Sequence, residues 1–175
     1  IGRMLDHPIS LRSQLGRGTM FSVAVPLGEA PLAARPIPVA APAGRLAGMH
    51  VLCIDNEPAI LDGMVALLQG WSCRVSVANG LAAALEAIRS DVPVDLVLAD
   101  YRLDDGETGI AVMDALRRAC GEPLPGVLIT ADHAPAIREA AREHGYQFLY
   151  KPVRPAALRA LLDAVAEQGF DELLA

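Results

Sequence analysis

Two carboxylates, a hydroxyl and an ammonium in this chain each stand at or just past the end of a short apolar run. Asp55 follows Val51-Leu52-Cys53-Ile54, Asp100 follows Leu96-Val97-Leu98-Ala99, Thr130 follows Val127-Leu128-Ile129, and Lys151 follows Phe148-Leu149-Tyr150. If these runs are parallel strands of one sheet, the four side chains gather at its carboxyl edge, where open α/β sheets place their chemistry. Two carboxylates drawn together there repel and resist ionisation unless a cation joins them. Such a set can bind a divalent cation that prefers hard oxygen ligands, and it can handle a phosphoryl group. Taken singly, each residue has an ordinary reading as a helix cap, strand terminator or solvated loop residue. The joint occurrence, each at its own strand end, carries the argument.

The elements that must position them are legible between residues 49 and 168, where strand and helix signals alternate five times. The predicted strands are Val51–Ile54, about Cys73–Val77, Val94–Ala99, Gly126–Thr130 and Tyr146–Tyr150. The first predicted helix has Pro58 in its first turn and an apolar stripe of Ile60, Leu61, Met64, Leu67 and Leu68. The others are Leu81–Arg89, about Gly109–Ala119, Pro135–His144 with Gly145 as its stop, and Pro155–Glu167 with Leu158, Leu161, Leu162 and Val165 facing inward. Continuous apolar strands between amphipathic helices predict a parallel sheet covered on both faces.

Two further zones precede this one. Up to Leu27, Ile9 and Leu11 alternate with Ser10 and Arg12, and Phe21, Val23 and Val25 alternate with Ser22 and Ala24 around Gly16-Arg17-Gly18. That pattern predicts a β-hairpin of half-buried strands. Two strands alone are not stable in water, so the hairpin must be a remnant or must pack on something else. Residues 28–48 carry Pro31, Pro36, Pro38 and Pro42 among alanines and read as a partly extended linker.

Composition narrows the function classes. The 175 residues are 53% hydrophobic but only 4% aromatic, which gives an aliphatic core, and the net charge of −6 argues against a nucleic-acid partner. No apolar run approaches the roughly 20 residues of a membrane span, so direct membrane contact is not expected. Cys53, Cys73 and Cys120 show no paired or metal-type spacing and are expected to be reduced and mostly buried, which fits a cytoplasmic location. His7, His50, His133 and His144 follow no ligand pattern and read as structural or solvated, Asp104 and Asp105 read as solvated, and Trp71 reads as a packing residue. The start, Ile1-Gly2-Arg3-Met4, is expected to be the cut end of a longer protein.

On these residues (Asp55-Asn56-Glu57-Pro58, Asp100, Thr130 and Lys151-Pro152), the zone 49–168 resembles a receiver domain, the phospho-accepting module of two-component signalling. The resemblance implies a flavodoxin-like, doubly wound five-stranded parallel sheet of order 2-1-3-4-5 with five helices. It implies Asp100 as phospho-acceptor, Thr130 and Lys151 as its assisting groups, and Thr130 with the aromatic Phe148 as the switch pair. It further implies Mg²⁺, or Mn²⁺ as the alternative, held by Asp55, Asn56, Asp100 and the backbone carbonyl of Arg102, a cis Lys151-Pro152 bond, and a histidine kinase or histidine phosphotransfer domain as donor. A homodimer is an open option. One position departs from the pattern: the second of two successive acids is Asn56, whose neutral amide either leaves Glu57 to compensate or weakens metal binding.

Residues 1–27, through Gly16-Arg17-Gly18-Thr19 and Met20-Phe21-Ser22-Val23-Ala24-Val25-Pro26, resemble the final hairpin of the ATP-binding domain of sensor histidine kinases. A kinase end, a linker and a receiver in that order imply a hybrid sensor histidine kinase, soluble or membrane-anchored. The kinase core itself is missing, so the only catalysis expected here is the chain's own phosphorylation and dephosphorylation. The tail, 169–175, is too short for a DNA-binding output domain. The rival reading is a degenerate receiver that serves as a phosphorylation-independent interaction module, with Asn56 as its support. A flavodoxin-type FMN site is disfavoured by the acidic loop 55–58, and a dehalogenase-type phosphatase by Arg102 where a general acid is needed.

Overall fold

The computed structural model describes residues 7–26, 46–90, 92–121 and 123–168. Most of the expected linker, the first residues and the tail 169–175 lie outside them. The chain divides into two units, one holding the hairpin and one the α/β layers.

In the hairpin, β1 (Ile9–Gln14) pairs antiparallel with β2 (Gly18–Val23). The alternation puts Ile9 opposite Val23 and Leu11 opposite Phe21 on one face. Half-burial is not what the structure shows: every residue of both strands is exposed, Phe21 to 73%. Alternation records which face is apolar, but two strands have no third layer to bury it.

The second unit runs β3 (His50–Ile54), α1 (Pro58–Gln69), β4 (Arg74–Ala78), α2 (Leu81–Ala87), β5 (Leu96–Asp100), α3 (Gly109–Cys120), β6 (Gly126–Thr130), α4 (Pro135–Glu143), β7 (Gln147–Tyr150) and α5 (Pro155–Gln168). The strands form one parallel sheet of order β4-β3-β5-β6-β7, which is the predicted 2-1-3-4-5. Side chains alternate between faces along each central strand. Leu52, Ile54, Val97, Ala99 and Leu128 face a core with α2, α3 and α4. Val51, Cys53, Leu96, Leu98, Val127 and Ile129 face a second core with Leu61 and Leu68 of α1 and Leu158, Leu162 and Val165 of α5. Trp71 packs against this second core, with Arg159 over its ring at 5.6 Å.

Element ends shift by one or two residues from expectation, for identifiable reasons. β5 extends to Asp100 because the ladder continues there, with Asp100 opposite Ile129 and the Tyr101 N–H donating to the Ile129 carbonyl at 2.8 Å. α2 stops at Ala87 because its exit tightens into three-residue hydrogen bonds at Arg89 and Ser90. α4 stops at Glu143, and Gly145 beyond it takes a left-handed φ of 68°. A short 3₁₀ turn at Asp104–Gly106, absent from the sequence reading, shapes the loop after β5.

The amino edge of the sheet is pinned. Arg117 of α3 donates to the carbonyls of Leu124 (3.0 Å), His144 (2.6 Å) and Gly145 (3.1 Å), and its guanidinium lies 4.0 Å from the Tyr146 ring centre. The Tyr146 hydroxyl donates to Asp114 at 2.7 Å, and His144 meets the same carboxylate at 2.8 Å. His50 is buried, its ring bridging the Pro93 carbonyl and the Ser76 hydroxyl. Cys53 and Cys73 are free and buried, whereas Cys120 is exposed. Among the described residues, no helix is long and apolar enough to cross a membrane.

Candidate functional site

The four singled-out residues lie where four strands end. Asp55, only 5% exposed, follows β3; its N–H donates to the Ala78 carbonyl, and its Oδ1 accepts the Glu57 N–H at 2.9 Å. Asp100 closes β5, Thr130 closes β6 at 3% exposure, and Lys151 follows β7. The Lys151 N–H donates to the Thr130 carbonyl at 2.8 Å, which places β7's exit beside β6's. The Lys151-Pro152 peptide is cis.

Three of the four meet directly. The Lys151 ammonium lies 3.1 Å from Asp55 Oδ2 and 3.0 Å from Asp100 Oδ1, with the three side chains 24%, 8% and 12% exposed. Burial pulls the Lys151 pKa down, but the hydrogen bonds and attraction from Asp100 and Asp55 outweigh it and hold it above the ordinary lysine value. The ammonium is therefore charged at neutral pH and offsets part of the repulsion between the carboxylates. The Thr130 hydroxyl accepts the Asp132 N–H at 3.0 Å and still has its own hydrogen to donate.

The remaining candidates divide. Asn56 is half-buried and donates through Nδ2 to Asp104 Oδ1 at 2.6 Å, while Asp104 itself is exposed, as expected. The amide oxygen retains its acceptor capacity. Glu57 is exposed at the start of α1, with no side-chain capping bond. Phe148 packs on the core beneath α4, edge-on to Tyr150 at 5.4 Å, and Tyr150 in turn meets the His133 ring at 4.4 Å. Hard oxygen donors, two carboxylates with an amide and a backbone carbonyl, suit a small divalent cation that keeps several waters. Among the described residues, no three His, Cys, Asp or Glu side chains are grouped to hold a metal, so the fit depends on neutral oxygens as well as the two acids.

Two residues of the site escaped the sequence reading. Asp132 accepts the Ala134 N–H at 3.0 Å and binds the Arg102 guanidinium at 3.0 Å. An aspartate three positions before Pro135 is a helix-entry signal that could have marked it. Gly109 opens α3 against the end of β5: a Cβ there would lie 2.3 Å from the Asp100 carbonyl oxygen.

Residues 51–163 match the family of response regulator receiver domains. The chain belongs to that family. It is 30% identical over 118 residues to the two-component response regulator ORR3 of Oryza sativa subsp. indica, covering 66% of this chain and 89% of that protein. It is 32% identical over 116 residues to the transcriptional regulatory protein ZraR of Escherichia coli (strain K12), covering 66% of this chain and 26% of that one. Among solved structures it resembles the chemotaxis protein CheY4 of Vibrio cholerae, with a TM-score of 0.62 and 23% identity over 68% of this chain and 99% of that chain. It also resembles a CheY-like receiver domain of Methanospirillum hungatei JF-1, with a TM-score of 0.63 and 20% identity over 72% of this chain and 99% of that one. These likenesses establish the fold. Family membership makes residues 51–163 a receiver domain, a phosphorylation-accepting module of two-component signalling. Receiver domains of this kind interact with histidine kinases or phosphotransfer proteins.

Proposed function

We propose that Asp100 is the residue that accepts the phosphoryl group, and that the donor is a phosphohistidine. The observation that carries this reading is the Lys151 ammonium bridging Asp55 and Asp100 at 3.1 and 3.0 Å on one sheet edge. A carboxylate oxygen of Asp100 attacks phosphorus; the new O–P bond forms as the donor's P–N bond breaks, and that bond's electron pair stays on the imidazole nitrogen. Lys151 neutralises charge on the transferred group, and Thr130 donates its hydroxyl to a phosphoryl oxygen. Asp55, Asp100, Asn56 and the Arg102 carbonyl would hold Mg²⁺, or Mn²⁺ in its place, with the exposed Glu57 as the acid that would compensate for Asn56. When bound, the cation supplies further charge neutralisation at the phosphoryl oxygens. Water later cleaves the O–P bond, returning the Asp100 carboxylate and phosphate. Thr130 drawn toward the phosphoryl group and Phe148 turning inward form the switch.

The parent protein in this reading is a hybrid sensor histidine kinase acting in the cytoplasm, with 1–27 the end of its ATP-binding domain, 28–48 a linker, 49–168 the receiver and 169–175 a tail. Its support is the Gly16-Arg17-Gly18-Thr19 turn joining the paired strands β1 and β2. The test is Asp100→Asn. It should abolish hydroxylamine-sensitive labelling from a small phosphodonor while the circular dichroism spectrum is unchanged; full labelling of the variant would remove Asp100 from this role. A second reading, a receiver acting as an interaction module without phosphorylation, is favoured by the neutral Asn56 and its engagement with Asp104 at 2.6 Å. Mass spectrometry after treatment with phosphodonor and Mg²⁺ separates the two, since only the first reading gains phosphate.

A further inference from the structure

The Arg102 side chain has no part in the chemistry above. It leaves the chain two residues after Asp100 and reaches across to the loop after β6, where its Nη2 lies 3.0 Å from Asp132 Oδ2. The pair is held lightly, with the guanidinium 76% exposed and the carboxylate 33%. Asp132 is the hub of that loop. Its N–H donates to the Thr130 hydroxyl, its Oδ1 accepts the Ala134 N–H, and its Oδ2 takes the guanidinium. The next residue, His133, lies against the Tyr150 ring. The Ala134 N–H, then Arg102, hold the Asp132 carboxyl below the usual aspartate value, so it is ionised at neutral pH.

We propose that Arg102 is a phosphoryl-binding residue held in reserve: as Asp100 takes up a phosphoryl group, the guanidinium leaves Asp132 for the phosphoryl oxygens and joins Lys151 as a second side-chain cation. This rests on the reading of Asp100 as acceptor. Charge sets the direction. A phosphoryl group carries about −1.5 to −2 charges and three acceptor oxygens, against one charge on Asp132. A planar guanidinium matches such oxygens with two parallel donors. The pair given up is exposed, and exposed pairs contribute little. The exchange also strips Asp132 of a partner while the Thr130 hydroxyl that its N–H bonds turns its own hydrogen to the phosphoryl group. The loop 131–134 is thereby loosened, and with it the His133–Tyr150 contact on β7.

The experiment uses the full 175-residue chain, loaded with acetyl phosphate and Mg²⁺, with labelling at Asp100 verified by mass spectrometry. Nitrogen-15 NMR follows the Arg102 side chain. Its Nε signal should move in proportion to the labelled fraction, and should stay put in Asp100→Asn. Two variants separate phosphoryl binding from a structural tie, because both delete the same ion pair. Arg102→Ala should slow phosphorylation about threefold to tenfold, the rate equivalent of one exposed charge contact, and Arg102→Lys should recover part of it. Asp132→Asn, which frees the guanidinium but keeps an oxygen for the Ala134 N–H, should phosphorylate at least as fast as the unaltered chain. Labelled Asp100 with an unmoved Arg102 signal, or both variants slowing alike, would overturn the proposal alone. Absence of label on Asp100 in the unaltered chain would overturn the acceptor assignment and this proposal with it.

Discussion

Replacing Lys151 by methionine tests the electrostatic centre of the site. The substitution keeps most of the side-chain volume and deletes the ammonium that lies 3.1 Å from Asp55 and 3.0 Å from Asp100. Breaking a fully buried ion pair by removing one partner costs about 3–5 kcal/mol. Lys151 is 24% exposed and either carboxylate can relieve the repulsion by taking up a proton, so the expected cost is lower, about 2–3 kcal/mol. The pH dependence has a definite sign. In the unaltered chain the raised lysine pKa contributes stability fully present below about pH 10.4, the unfolded value, and lost only as pH rises through the higher folded value. In the variant, the two neighbouring carboxylates lack their shared cation, and like charges resist ionising together. The folded state then binds the extra proton, and the deficit shrinks as pH falls toward the carboxylate range. Urea denaturation followed by circular dichroism, at about pH 8 and about pH 5, should show a deficit at the higher pH that narrows at the lower. Phosphorylation should fall by about two to three orders of magnitude, the cost of removing one preorganised charge stabiliser. A variant as stable as the unaltered chain at the higher pH, or a deficit that widens on acidification, would refute the reasoning.

Gly109→Ala should destabilise by about 2–4 kcal/mol although alanine favours helices, because the new Cβ would sit 2.3 Å from the Asp100 carbonyl and 3.0 Å from Leu128 Cδ1; an unchanged urea midpoint would contradict this. Asn56→Asp should bind Mg²⁺ roughly tenfold more tightly by calorimetry, since ligand charge sets affinity for such cations, and an unchanged affinity would remove position 56 from the donor set. Iodoacetamide at mildly alkaline pH should modify Cys120 first in the native chain. Burial pushes the Cys53 thiol up to about 12 and raises Cys73 as well, leaving little thiolate at either. Peptide mapping that found Cys53 reacting as fast as Cys120 would count against that burial.

The layered sheet was readable because β3, β5 and β6 are buried on both faces and so appear as unbroken apolar runs. The candidate site was readable because Asp55, Asp100 and Thr130 stand at the ends of those runs and Lys151 directly follows the shorter apolar run of β7. Long-range polar ties were not. Arg102 and Asp132 are 30 residues apart, and Asn56 and Asp104 are 48 apart; no periodicity announces either pair. The close approach of Gly109 to Asp100 is likewise a property of space, invisible in a lone glycine before a helical pattern. The hairpin shows the converse, since its alternation was correct about which residues share a face and silent about what, if anything, covers it.

Arg117 grips three carbonyls at the sheet's amino edge, and Tyr146, Asp114 and His144 close around it. If Asp100 is the acceptor, the displacement it starts is expected to spread through the loop of Asp132 and His133 toward Tyr150 of β7, away from the Arg117 cluster. On that reading, a binding partner that tells the charged from the uncharged form is expected to grasp the upper half.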